Sequence, residues 1–345
     1  MNRWNNRPEG SNWGDYGEND ALGRVNLLTP DRVLQAVAEV RKGVNFCLSL
    51  PLDYPGLSAL NPRRFPPQMH FSMRGDDPAM CYPMARVNAA QTDVVCDDRV
   101  TLSTQYSTQW DSLAHMGALF DANGDGGEEV VFYNGYRAGV EVRGPKDYLD
   151  GDKPQEPPYG AGPLGIDALA VAGMQGRGVM VDLHAHYGDA RKAVGYDALM
   201  RILEADAVEV ESGDILCLRT GFDRVLLGYE KNPPEGIQYE ICTGLDGSDK
   251  QLLNWITDCG VAALVSDNEA VEFLPTPNPP AQRGAFFPLH EHCLFKLGLP
   301  LGELFLLSEL ADWLRAAGRY RFLLTAPPLR LPGAVGSPVT AIATV

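Results

Sequence analysis

Residues 179–219, VMVDLHAHYGDARKAVGYDALMRILEADAVEVESGDILCLR, are the most informative part of the sequence for the fold class. The runs at 179–183 and 215–219 have the length and aliphatic content of buried strands. Residues 196–205, between them, carry apolar residues at helical spacing. A strand, a helix and a second strand in this order predict an α/β domain with a central, largely buried sheet.

The same alternation continues on both sides of this segment. It predicts strands at 261–266, 321–326 and 339–345 and helices at 163–175, 248–258 and 308–317. Ser248 is the expected cap of the second of these helices, and Gly318 is the expected stop of the third. The 36 glycines and 26 prolines are spread over many turns and do not form one linker. We therefore expect a single domain over residues 1–345.

The N-terminal part has its own organisation. A helix is predicted at 29–43, with Thr29 as N-cap, Pro30 at the first position and Gly43 as stop. The Pro-rich stretch from 50 to 98 lacks periodicity and should wrap over the surface or over a neighbouring subunit. We thus expect an N-terminal helix and arm over 1–98 and a catalytic core over 99–345, in a chain that forms a homo-oligomer.

Composition excludes several classes of protein. A net charge of -16 disfavours binding to nucleic acid or to anionic membranes. The polar N-terminal sequence and the lack of a long apolar run predict a cytoplasmic protein without a membrane span. The seven dispersed cysteines do not suggest disulfides or a cysteine-rich zinc site. There is no G-x-S-x-G elbow, Walker motif or dinucleotide fingerprint, and a calcium-like loop at 121–132 fails because Phe132 occupies its last ligand position.

Two regions place scarce histidines beside carboxylates. In the first, QYSTQWDSLAH at 105–115, Gln109 and Asp111 would share one face of an extended segment and could reach one ion or one substrate. A hydrogen-bonded loop is the alternative. In the second, His290 and His292 would share a face on a strand but not on a helix, and His292 is expected at the surface. A third group, DLHAH at 182–186, fits a polar strand cap better than a ligand set.

Blocks along nearly the whole chain resemble the cyclase superfamily that includes bacterial kynurenine formamidases and isatin hydrolases. The resemblance implies a swivelling β/β/α fold, with a mixed central sheet, flanking helices and long loops. It is closest to a longer branch that carries Thr-Gln-Trp-Asp. The matching blocks are NWG at 12–14 with NLLTP at 26–30, STQWD at 107–111 with His115, FYNG at 132–135, RGV at 177–179, GDIL at 213–216 with LRTG at 218–221, and LH at 289–290 with GE at 302–303.

The resemblance also implies a site. The formamidase signature H-x-x-x-H-x-D-x-x-x-H falls here on Gln105, Gln109, Asp111 and His115. The ligands of the second family metal match Asp111, His290 and Glu303, and His115 matches the residue that donates and accepts the proton. Glutamine can offer an amide oxygen to a hard ion such as Mn²⁺. We therefore expect one divalent ion, manganese or zinc, or a metal-free site.

These parts predict a hydrolase or cyclase acting on a small cyclic amide, lactone or N-acyl compound. An ion would activate water, and His115 would shuttle the proton, with Asp111 beside it. The alternatives are a metal-independent lyase or dehydratase, in which the glutamines donate to an oxyanion, and a catalytically silent binding protein. Trp13, Trp110 and Phe132 are candidates for stacking on a planar substrate, with core packing as the alternative.

Overall fold

A nine-stranded mixed sheet is the centre of the computed structural model, which describes residues 3–279 and 283–345. The strands run in the order β1-β9-β7-β3-β4-β5-β6-β2-β8 across the sheet. Their bounds are β1 Asn45–Cys47, β2 Gln109–Asp111, β3 Gln175–Asp182, β4 Ile215–Arg219, β5 Ala263–Ser266, β6 Leu301–Glu303, β7 Arg321–Thr325, β8 Gly336–Pro338 and β9 Ile342–Thr344.

Four neighbouring strands, β3 to β6, are parallel, and the strands outside them are antiparallel. The parallel strands are nearly fully buried, which explains their continuous apolar sequence. The α/β class and the mixed central sheet predicted from the alternation are therefore confirmed. Each predicted strand in 179–345 corresponds to an observed one, with ends that differ by up to four residues.

Helices cover both faces of the sheet. Their bounds are α1 Pro30–Val37, α2 Ile166–Ala172, α3 Leu183–Tyr187, α4 Tyr196–Ala205, α5 Phe222–Gly228, α6 Lys250–Cys259, α7 Pro288–His290 with its π-helical continuation Glu291–Lys296, and α8 Ser308–Ala316. Short 3₁₀ turns lie at Gly23–Leu27, Met84–Arg86, Tyr133–Gly135, Gly162–Leu164 and Ile237–Tyr239.

Three helix predictions need correction. The helix predicted at 163–175 is shorter, Ile166–Ala172, because Gly173 ends it in a left-handed conformation and Gln175 already begins β3. The first helix begins at the predicted cap, Thr29, but ends at Val37 and does not continue to Gly43. The backbone N–H groups of Lys42 and Gly43 instead donate to the Val345 carbonyl, which leads the chain into β1. At α6 the N-cap is Asp249 and not Ser248, because the Asp249 carboxylate accepts the first free N–H groups of the helix.

The Pro-rich stretch contains more structure than its composition predicts. Its three small antiparallel sheets are Gln68–Phe71 with Asp98–Thr101, Met73–Arg74 with Asp77–Pro78, and Tyr82–Pro83 with Val94–Val95. Several apolar side chains there, including Met69, Phe71 and Val94, are exposed.

Three further strand pairs lie outside this stretch. They are Ala118–Phe120 with Glu129–Val131, Lys146–Asp147 with Lys153–Pro154, and Lys192–Val194 with Thr243–Leu245. The homo-oligomer and the division at residue 98 stay predictions.

Within the part of the chain that the structure describes, no helix has the length and apolar character needed to span a membrane.

The N-terminal segment crosses the loop before β6 at a close backbone contact. A Cβ on Gly23, whose φ is +56°, would lie 2.1 Å from the Gly298 carbonyl oxygen. Arg24 donates its backbone N–H to the same oxygen at 2.9 Å. Two glycines are therefore required where the chain passes over the loop that leads to Glu303.

We expect Gly23→Ala to lower the free energy of unfolding by about 2 kcal/mol or more, because it adds a backbone clash to the strain of positive φ. Gly43→Ala is the matched control, since Gly43 has φ +66° and open space around its Cα. Strain alone should cost that variant about 1 kcal/mol. Chemical denaturation midpoints would measure both, and equal losses would contradict a tight crossing.

Candidate active site

The pairing of β2 with β6 brings the two predicted regions together. Gln109 lies opposite Glu303, and Asp111 lies opposite Leu301. Because side chains alternate along a strand, Gln109 and Asp111 share the face that Glu303 also occupies. All three polar side chains are almost fully buried. Gln109 donates from Nε2 to Glu303 Oε2 at 2.9 Å, so the shared face predicted for the first region is observed.

His115 returns to this face through a turn after β2. Its backbone N–H donates to the Ser112 carbonyl at 2.9 Å. His115 Nε2 lies 3.9 Å from Asp111 Oδ2. One ligand atom from each of Asp111, His115 and His290 lies within 4.8 Å of the others. The structure thus brings together residues that are 175 positions apart in sequence, as 290 minus 115 gives.

Helix α7 holds His290 with the help of Glu272. Pro288 begins this helix, so His290 and His292 point in different directions, as expected for helical geometry. The buried Glu272 carboxylate accepts the backbone N–H groups of Leu289 and His290. It also contacts His290 Nδ1 at 2.7 Å. This contact places the Nδ1 proton towards Glu272 and leaves His290 Nε2 facing Glu303 Oε1 at 3.2 Å.

Gln105 connects Asp111 to His115. Its Nε2 lies 2.5 Å from Asp111 Oδ1 and 2.7 Å from His115 Nδ1. Because the amide nitrogen faces both groups, one N–H bond donates to Asp111 Oδ1 and the other donates to His115 Nδ1. A neutral His115 then carries its proton on Nε2. Gly336 of β8 makes room for this arrangement, because a Cβ there would lie 2.6 Å from Gln105 Cγ.

These contacts correct the expected role of Gln105. It was expected to offer an amide oxygen to a metal, but here its amide nitrogen faces Asp111 and His115. An amide N–H group is a donor and does not bind a cation. Both N–H bonds of Gln105 already face Asp111 and His115, so neither is available to donate a hydrogen bond to an oxyanion. Gln109 also uses its nitrogen, yet its buried Oε1 has no hydrogen-bond partner among the described residues.

Burial and nearby charges set the ionisation of the site. Burial raises the pKa of Asp111, while His115 opposes this effect and Glu303 adds to it. Burial acts to lower the pKa of His290, but hydrogen bonds and charge from Glu272 and Glu303 outweigh it and raise the pKa to about 10. Burial acts to raise the pKa of Glu303, but the hydrogen bond from His290 outweighs it and the pKa is lowered. Without an ion, His290 is thus a cation between two carboxylates.

The residues fit a divalent ion. Asp111 Oδ2, like Gln109 Oε1, is a buried acceptor without a hydrogen-bond partner in the described ranges 3–279 and 283–345. A cation can satisfy such an oxygen. His290 Nε2 and Glu303 face the same region, and imidazole with carboxylate is a donor set that zinc and manganese accept. Asp111, His290 and Glu303 would hold the ion, with Gln109 beside them.

The site opens into a cavity of about 350 Å³. His115, His290 and Glu303 line it together with Glu269 and Arg64. Burial raises the pKa of Glu269 to about 8, Glu303 adds to the effect, and Arg64 opposes it. The sequence analysis did not identify Glu269, Glu272 or Arg64. Glu269 and Glu272 follow the buried strand β5, and ligands bind at the carboxyl ends of parallel strands. Their position after a predicted strand was therefore a signal in the sequence that could have identified them.

The other candidates lie outside this cavity. Trp13 and Trp110 are fully buried, and their indole N–H groups donate to the carbonyls of Phe295 and Ala326. This corrects the expectation that they stack on a substrate, because neither ring is accessible. Phe132 is half-buried beside Gly117, and its stacking role stays a prediction.

The remaining histidine predictions have separate outcomes. His292 is buried and contacts Thr257, so the expectation of a surface position is wrong. Burial lowers the pKa of His292 to about 4. His184 and His186 contact Asp189 and Asp206 on the surface. Asp182 caps α3, so the DLHAH segment is a strand-end cap as expected.

Comparison with known proteins identifies the family. A family model described as "Putative cyclase" matches residues 47–272, which is more than half of the chain. No curated protein sequence matches. A solved structure of a novel cyclase is 29% identical, with a TM-score of 0.72 over 97% of this chain and 99% of that one.

Two more distant structures share the fold. Isatin hydrolase A from Labrenzia aggregata, bound to benzyl benzoate, is 12% identical, with a TM-score of 0.54 over 91% of this chain and 98% of that one. An isatin hydrolase bound to the product analogue thioisatinate is 16% identical, with a TM-score of 0.53 over 92% and 99%. The fold and the resemblance predicted from the sequence are confirmed, and the protein belongs to the cyclase family.

Proposed function

We propose that the protein is a metal-dependent hydrolase or cyclase that opens or closes a small cyclic amide, lactone or N-acyl compound. The observation that carries this proposal is the cluster of Asp111, His115 and His290, with a buried Asp111 oxygen that has no hydrogen-bond partner among the described residues. The two histidines of this cluster line the cavity. Family membership supports a hydrolase or cyclase. The isatin hydrolases share the fold and, by their name, hydrolyse isatin.

Each residue has a proposed task. Asp111, His290 and Glu303 hold the divalent ion, which supplies Lewis-acid chemistry to a carbonyl and to water. Glu272 orients His290 through Nδ1. His115 presents Nε2–H to the cavity and donates a hydrogen bond to the substrate atom that gains negative charge. Transfer of that proton would require the imidazolium form of His115, protonated on Nδ1 as well as Nε2, and a rotated Gln105 amide whose oxygen accepts from Nδ1.

A metal-independent lyase or dehydratase is the second candidate. His290 favours it, because the imidazole already forms a buried cation between Glu272 and Glu303 without an ion. Such a cation could stabilise a developing anion in the place of a metal. The two candidates differ in whether Asp111 needs a cation, and metal analysis distinguishes them.

The metal assignment predicts a loss of ion binding in Asp111→Asn. Mn²⁺ or Zn²⁺ should raise the melting temperature of the parent protein, because a ligand that binds only the native state stabilises it, by about 2.7 kcal/mol at one hundred times Kd. The variant should lose this stabilisation and most of its bound metal. Melting curves and elemental analysis would measure both. Asp189→Asn is the control, since Asp189 makes a comparable contact with a surface histidine; equal metal binding in both variants would contradict the assignment.

His115→Ala should reduce turnover of a hydrolysable cyclic amide or N-acyl substrate by about 10²-fold or more, because one preorganised donor in a site contributes about that much. Metal content should change little, because the proposed ligands are Asp111, His290 and Glu303; a parallel loss of metal would instead place His115 among the ligands. Initial rates and elemental analysis test this. His186→Ala, which removes a surface histidine, should keep the parent rate. Full activity in His115→Ala would show that His115 is structural.

Gln105→Glu tests the tautomer of His115. A carboxylate beside Nδ1 accepts a hydrogen bond and cannot donate one, so the His115 proton should move from Nε2 to Nδ1. Imidazole ¹⁵N chemical shifts report this change directly. Turnover should fall by about 10²-fold, because the cavity loses its donor. Gln91→Glu, on the exposed arm, is the control for the added charge. Unchanged ¹⁵N shifts, or a faster variant, would refute the donor role.

A further inference from the structure

Two adjacent arginines form part of the cavity wall. Arg63 and Arg64 belong to the arm segment NPRR at 61–64, which lines the same cavity as His115, His290 and Glu303. Elsewhere the chain is strongly acidic, with a net charge of -16. A pair of cations therefore lies in the same wall as the carboxyl groups of Glu269 and Glu303, and it offers an anion a local attraction in an otherwise acidic chain.

Arg64 is held in position without a carboxylate. Its Nη1 donates to the Gln105 carbonyl at 2.8 Å, and the side chain is half-buried. Nε and Nη2 form no hydrogen bond with residues 3–279 or 283–345. Other arginines of the arm do have acidic partners, because Arg74 pairs with Asp97 and Arg86 pairs with Asp77.

Neither cavity arginine forms an ion pair within the described part of the chain. The nearby Glu303 carboxylate is already engaged by Gln109 and His290. Glu269, in the same cavity, forms no ion pair with either arginine, and burial raises its pKa to about 8. Arg64 therefore keeps donors of its planar guanidinium available, and this group matches a carboxylate in geometry and charge.

The rest of the cavity limits the ligand further. Asp111 and Glu303 are close by, so an anion with two charges would be repelled more than a carboxylate with one. Several other residues of the lining are apolar or aromatic. They include Leu60, Met116, Tyr239, Leu274 and Phe287. The cavity thus suits a small apolar body that carries a single carboxylate.

We propose that Arg64, assisted by Arg63, binds a carboxylate of the substrate, so that the substrate class is a small aromatic or apolar acid with a hydrolysable amide, lactone or N-acyl group. The reaction in this inference rests on the proposed function, whereas the binding of the acid does not. The arginines fix one end of the molecule, and its reactive bond lies at His115 and His290. Because Arg64 is bonded to the backbone of Gln105, the acid and the imidazole are positioned by one segment of chain.

Binding of benzoate and of its neutral isostere benzamide tests this proposal by isothermal titration, at matched and measured metal content. The parent should bind benzoate at least about tenfold more tightly than benzamide. Arg64→Ala should weaken benzoate binding by about 10- to 100-fold, which corresponds to the loss of a charged hydrogen bond, and leave benzamide unchanged. Arg99→Ala, which changes an exposed arginine outside the cavity, should bind both as the parent does. Equal affinities for the two compounds, or no effect of Arg64→Ala, would overturn the proposal.

Two further measurements complete the test. Arg64→Lys keeps the charge but loses the planar guanidinium, so its benzoate affinity should lie between those of the parent and Arg64→Ala. Where the alanine variant folds poorly, Arg64→Lys should still bind benzoate more weakly than the parent.

Hydrolysis of N-formyl-2-aminobenzoate and of formanilide distinguishes a carboxylate of the substrate from a carboxylate formed in the reaction. Arg64→Lys should raise KM for the acid only, and an equal effect on both compounds would overturn a substrate carboxylate. If the parent hydrolyses neither compound while Arg64 still controls benzoate binding, the proposed reaction fails and the acid site stands.

Discussion

The antiparallel register of β2 and β6 is the constraint on which the site depends. It sets Gln109 opposite Glu303 and places Asp111 two residues further along the same face. A shift of one residue would turn both polar side chains of β2 into the opposite core and bring Trp110 to the site. Trp110 now packs against Phe305 on that opposite side, so the same register fills the core and directs the carboxylates. Packing of the apolar residue therefore secures the position of the polar ones.

A chain of buried polar contacts extends from this register. Glu272, His290, Glu303 and Gln109 follow one another through hydrogen bonds, and each is nearly inaccessible. Burying charges is costly unless they are paired, so the alternation of carboxylate and imidazole is what makes the group tolerable. Asp111 breaks the pattern because one of its oxygens has no partner in the described chain. A buried acceptor without a partner carries a free-energy cost, which a bound cation or an ordered water would remove.

The sequence predicts the sheet better than it predicts the site. Apolar periodicity located the strands at 179–183 and 215–219 because a buried parallel strand carries its signal locally. The scarcity of histidine singled out the segments of Asp111, His115 and His290, but only resemblance joined them with Glu303 into one site, because it carries long-range information that periodicity lacks. Glu272 and Arg64 could not be found in either way, since their importance lies in contacts with residues 18 and 41 positions away. The periodic pattern also cannot predict the early end of α1, because the backbone of Lys42 and Gly43 is held by hydrogen bonds to Val345, which is distant in sequence.

The arm is connected to the active site through the backbone and the side chain of Gln105. Arg64 donates to the carbonyl of Gln105, and the side chain of that same residue contacts Asp111 and His115. A shift of the arm would therefore move the donor that sets the tautomer of His115, even if β2 and β6 stayed in place. The sheet supplies rigid positions for Asp111 and Glu303, whereas Gln105 precedes β2 and is held from the arm side. Substrate contacts on the arm and proton position at the imidazole are thus physically linked by one residue.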